Sequence, residues 1–87
     1  MWEVAFTAHF VRSLNKLPPP LQDEVIEKIK LLKNPVHHQR LRLHKLHGVM
    51  KHYHSFSVNY RVRVIIQIIK KQAIALLIDV GDHSLYK

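Results

Sequence analysis

An 87-residue chain that is 47% hydrophobic has the size and apolar content of one folded domain, residues 1–87, with none of the low-hydrophobicity signature of disorder. It holds no cysteine, which excludes disulfides and thiolate metal sites, and no apolar run nears the roughly 20 residues that cross a bilayer. Fourteen Lys and Arg against six Asp and Glu give +8 before any of the eight histidines is counted, which points to a polyanionic partner, nucleic acid or an acidic protein.

Met1-Trp2-Glu3-Val4 lacks the basic start of a secretory signal, so the expected location is the cytoplasm, away from membranes. Trp2, Val4 and Phe6 alternate with Glu3 and Ala5, the period of a strand with one face on a core. Thr7 is placed to cap a helix over residues 8 to 17, where Phe10, Val11, Leu14 and Leu17 recur at spacings of three and four. Pro18-Pro19-Pro20 ends that helix and opens a second, because a missing amide donor costs nothing in a first turn. Leu21, Val25, Ile26, Ile29 and Leu32 give the second helix its apolar stripe. Asp23 and Glu24 are expected near the positive end of its dipole and Lys30 and Lys33 near the negative end, with Asn34-Pro35 as the stop.

Residues 36 to 51 are basic, rich in histidine and poor in apolar residues, and read as a loop. Three stretches rich in Val, Ile and aromatics follow, His52 to Ser57, Arg61 to Ile69 and Ala73 to Val80, with separators short enough for antiparallel hairpins. The order β-α-α-β-β-β predicts an α+β domain, two N-terminal helices packed on a small, mainly antiparallel sheet.

Strand alternation turns Val62, Val64, Ile66 and Ile68 toward the helices and puts Arg61 and Arg63 together on the other face, as a phosphate clamp or as a solvated surface. His83 and Tyr86 lie three residues apart beyond the last strand, where Gly81 permits a change of direction. His52 and His54 share one face of the strand beside Arg61, either as cross-strand packing or as a proton-transfer group. The adjacent His37-His38 has no acidic or thiol neighbour and makes a poor metal pair. Cleavage of RNA by internal attack needs a base for the ribose 2′-hydroxyl, cations for charge developing on phosphorus, and an acid for the departing 5′-oxygen. Histidine and arginine supply these without metal or cofactor, in keeping with a C-terminal half whose only acids are Asp79 and Asp82. Glycine-rich phosphate loops and Gly-x-Ser-x-Gly elbows are absent from the sequence.

Val80-Gly81-Asp82-His83-Ser84-Leu85-Tyr86 resembles the C-terminal signature of the RelE/ParE superfamily of toxins. Phe10-Val11-Arg12-Ser13-Leu14-x-x-Leu17-Pro18 is similar to that family's first helix, Lys45-Leu46-x-Gly48 to its loop, and Tyr60-Arg61-Val62-Arg63-Val64-Ile65 to its central strand. The resemblance spans the chain in order. It implies the toxin of a type II toxin–antitoxin system, cutting mRNA, often on the ribosome, and silenced by a cognate antitoxin. It further implies that Arg61 stabilises phosphate, that His83 is the general acid, and that Tyr86 orients the substrate; Lys45, Arg63 and Lys87 are the other expected substrate contacts. Where RelE carries lysines this chain has His52 and His54; His54 is taken as the general base, with His44, His47 and His52 as alternatives. Two other functions compete with the endoribonuclease: a ParE-like inhibitor of DNA gyrase that hydrolyses nothing, and a basic RNA-binding module without catalysis.

Overall fold

The computed structural model describes residues 2–82. Strand β1 (Glu3–Phe6) leads into helices α1 (Ala8–Asn15) and α2 (Pro19–Leu32), followed by strands β2 (His44–Lys45), β3 (His54–Ser57), β4 (Arg63–Ile69) and β5 (Ile74–Gly81). The strands form one sheet in the order β1-β5-β4-β3-β2, parallel between β1 and β5 and antiparallel elsewhere. This is the expected α+β architecture with one strand more. The added strand, β2, lies where a loop was expected: His44 pairs with Ser55 and Lys45 with His54. Two polar residues carry no alternation, and a neighbour's backbone recruits them.

Thr7 caps α1 as the sequence predicts, its Oγ1 accepting from the Phe10 amide at 3.0 Å and donating to the Leu77 carbonyl of β5 at 2.9 Å. The helix stops two residues short of the expected end, ahead of the prolines. Helix α2 begins on Pro19, where the absent amide leaves nothing unsatisfied. Because it starts this early, Asp23 and Glu24 fall in its second turn, and the expected interaction with the dipole is kept by Lys30 in the last turn and Lys33 at the C-cap.

Phe10 from α1, Val25, Ile29 and Leu32 from α2, and Leu41 from the connection pack on Phe56, Val64, Ile66, Ala75, Leu77 and Val80 of the sheet. Val62, Val64 and Ile66 face this core and Ile68 packs against it, as alternation predicts. Burying Phe10 and Phe56 completely stabilises the fold by about 1.5–3 kcal/mol each. One irregularity interrupts the sheet: Ile65 pairs with Asp79 but Ile66 pairs with Leu77, leaving Ile78 as an extra residue in β5. Such a bulge bends and twists its strand locally. Here it lies where β5 meets the start of α1, and Asp79 reaches across to that helix.

Candidate functional site

The turn between β3 and β4 is built around Asn59. Its Oδ1 accepts from the backbone amides of Arg61 and Val62, both at 2.8 Å, and its carbonyl accepts from the Arg63 guanidinium at 2.6 Å. Asparagine favours such turns because its short side chain imitates a backbone acceptor. One residue thus fixes the backbone at Arg61 and the side chain of Arg63. Tyr60, at the tip, is 82% exposed.

Two clefts meet at this turn. The larger, about 700 Å³, lies between α1, the turn and the exit of β5; Arg61, Tyr60, His9, Lys16, Asp79 and Asp82 are among its lining residues. Inside it His9 Nε2 stands 3.2 Å from Asp79 Oδ2, while the other carboxylate oxygen accepts from the Val80 amide at 2.8 Å. The imidazole is 58% exposed and the carboxylate 23%, so the carboxylate is the anchored partner and the ring faces the cleft. A carboxylate that orients an imidazole fixes which ring nitrogen is free for proton transfer. This pair was missed in the sequence because its members lie 70 residues apart and His9 has only a helical face around it.

The smaller cleft, about 350 Å³, is lined by Lys28 of α2, Arg40 and Arg42 of the connection, Arg63 of β4, and again Asn59 and Tyr60. The clamp expected of Arg61 and Arg63 on one face therefore takes another form. Arg61 precedes β4 instead of lying within it, and the two guanidinium groups line different clefts that share Asn59 and Tyr60.

His54 is placed elsewhere. It pairs with Ile66 and, next along β3, Phe56 pairs with Val64, so His54 is on the face of the sheet that carries the core. Position 66 is five residues from Arg61, roughly 16 Å at strand spacing. The structure does not bring His54 and Arg61 together. Burial, then the positive charges of Lys45, Lys70 and His44, lowers the His54 pKa below its ordinary 6.5, and its Nδ1 is buried without a hydrogen-bond partner among the described residues. The neutral ring is thus the form the fold favours, at a distance from Arg61. Lys45 is exposed on β2 beside it. The alternatives His44, His47 and His52 are also exposed, and Gly48 occupies the left-handed region at φ 66°, which accounts for the glycine in the Lys45-Leu46-x-Gly48 motif. His83, Tyr86 and Lys87 lie outside the described residues; in sequence, His83 directly follows Asp82, which lines the larger cleft. No helix among the described residues is long and apolar enough to cross a membrane.

No sequence-family model and no curated protein sequence matches the chain. Solved structures do match, over nearly the whole length of both partners. The RelBE2 toxin–antitoxin complex from Mycobacterium tuberculosis aligns at TM-score 0.75 and 22% identity, covering 94% of this chain and 98% of that one. YafQ from Escherichia coli aligns at TM-score 0.79 and 11% identity, covering 99% and 98%. The archaeal RelE–RelB complex from Pyrococcus horikoshii aligns at TM-score 0.74 and 19% identity, covering 93% of each chain. At these identities the likeness is one of fold: two helices on a mixed five-stranded sheet, the RelE-like architecture that the sequence resemblance implied.

Proposed function

We propose that this chain is the toxin of a type II toxin–antitoxin pair and a metal-independent endoribonuclease that cleaves mRNA. The observation that carries the reading is the larger cleft, in which Arg61, the His9–Asp79 pair and the strand leading to His83 converge, within a fold shared end to end with RelE-type toxins. In this reading Arg61 binds the scissile phosphate and stabilises the charge that develops on it. An imidazole takes the proton of the ribose 2′-hydroxyl, the 2′-oxygen bonds to phosphorus, the bond to the 5′-oxygen breaks, and His83 protonates that oxygen as it leaves. The products are a 2′,3′-cyclic phosphate and a 5′-hydroxyl. His9 is the base that fits Arg61's cleft, whereas His54, roughly 16 Å along the sheet, and Lys45 beside it would meet the RNA strand farther from the cut. Arg63, Tyr86 and Lys87 complete the proposed substrate contacts. The partner that silences the protein is a cognate antitoxin with an acidic segment, which would cover the cationic clefts and order on binding.

Induced expression tests the whole reading. Growth arrest with truncated mRNA is expected from the unaltered chain and from neither Arg61→Ala nor His83→Ala. Arrest with intact message and broken DNA would transfer the protein to the gyrase-directed reading.

A further inference from the structure

The connection between α2 and β2 does more than join them. Leu41 fills the core, and its carbonyl accepts from the Ser57 amide at 2.8 Å, so the arginines on either side of it are held against the edge of β3. Arg42 is fixed in the left-handed region at φ 56°, a conformation uncommon outside glycine, and its carbonyl accepts from His44 Nδ1 at 2.8 Å. These two meet Lys28 and Arg63 around the smaller cleft, whose lining includes no acidic side chain among the described residues. A carboxylate does reach the turn from α2: Glu24 Oε1 accepts from Asn59 Nδ2 at a long 3.4 Å. Four like charges around about 350 Å³ repel one another, and an anion relieves that repulsion.

The lining also says which anion. An acidic helix docking in a groove needs a row of apolar anchors, yet of the apolar residues lining this cleft Leu41 and Val58 are 2% and 4% exposed, which leaves only the partly buried Leu31. Arginines supply planar forks that match phosphate oxygens, and at the lip shared with the larger cleft stands Tyr60, 82% exposed, a platform for a nucleobase. We propose that the Lys28–Arg40–Arg42–Arg63 cleft is a second phosphate subsite for single-stranded RNA, holding a phosphodiester on one side of Tyr60 while Arg61's cleft holds another on the far side, with Tyr60 stacked on the base between them. The subsite rests on the proposed reading of the protein as an RNA-directed toxin.

The test is binding without cleavage. A 2′-O-methyl oligoribonucleotide, which cannot be cut, is titrated into the whole chain by fluorescence anisotropy at several salt concentrations. Lys28→Gln with Arg40→Gln is expected to weaken binding by about tenfold or more and to flatten the slope of log affinity against log salt by about 0.7 for each phosphate no longer neutralised. Tyr60→Ala is expected to cost about 5- to 100-fold with the salt slope unchanged, since stacking carries no charge. Arg40→Lys, which keeps the charge and guards against a folding defect, should retain the slope. Wild-type affinity and slope in the double variant overturn the subsite even if the chain cuts RNA. Weakened binding of an acidic peptide with unchanged oligonucleotide binding overturns it in favour of a protein ligand. Loss of oligonucleotide binding in a chain that cuts nothing keeps the subsite and removes the nuclease.

Discussion

Replacing Asn59 with alanine removes the acceptor for two backbone amides at once, those of Arg61 and Val62 at 2.8 Å. Each such bond contributes about 1 kcal/mol net, so the variant should lose about 2 kcal/mol of stability, or roughly 8–16 °C in melting temperature for a domain of this size. The functional loss should be larger than the loss of folded protein, because Arg61 is held in place by this turn; a displacement of about 1 Å at a phosphate-binding group costs on the order of 100-fold in rate. Urea unfolding followed by circular dichroism, paired with kcat/KM for a defined RNA at a temperature where both proteins are folded, measures the two effects separately. Asn59→Asp keeps the Oδ acceptor and should recover most of the stability when Glu24 is changed to Gln, so that the new carboxylate meets no like charge. An alanine variant within about 0.5 kcal/mol of the parent, or an aspartate variant no better than alanine, would refute the assignment of the turn to Asn59.

Phe10→Ala empties the centre of the core and should cost about 3–5 kcal/mol, enough to unfold much of a domain whose total stability is about 5–15 kcal/mol; a melting temperature near that of the parent would contradict the packing described. Asp79→Asn should lower kcat by about 100-fold and His9→Ala about as much, with the double variant no worse than either single one and stability changed by only about 0–1 kcal/mol; additive losses would mean that the pair does not act as a unit. His54 has a folded pKa below its ordinary 6.5, so its neutral form is the one the fold favours. Its contribution is therefore steady above pH 6.5 and is lost as pH falls through 6.5 toward the folded value, because the unfolded chain binds a proton that the folded one resists. Unfolding of the parent and of His54→Gln compared from pH 7.5 to 5 should show the parent losing ground to the variant on acidification, and a constant difference would contradict the burial of this ring.

The parts of the fold governed by local chemistry were legible in the sequence. Thr7 and the prolines bracket two helices because capping and the missing amide act within one turn, and Val62, Val64 and Ile66 announce their face by alternation alone. What the sequence left hidden depends on contacts between distant segments. The parallel pairing of β1 with β5 joins Glu3 to Ile74, and nothing near either residue signals the other. Strand β2 is too short and too polar to have a period. The site divides in the same way. Arg61 and Arg63 were recognisable as cations suited to phosphate, but the turn at Asn59 assigns them to separate clefts. His54 is adjacent to the Arg61 strand in sequence order, yet antiparallel register carries it to the opposite end of the hairpin. His9 had no local signal, and its partner Asp79 comes from β5, beside the bulge and 70 residues along the chain.

The central claim is most directly tested by incubating the purified chain, in excess chelator, with mRNA in the presence and absence of translating ribosomes and determining the chemistry of the new ends. The expected products are 2′,3′-cyclic phosphate and 5′-hydroxyl ends that are undiminished by chelator and vanish with Arg61→Ala. Intact RNA in both settings, or cleavage that persists in full without Arg61, would contradict the claim.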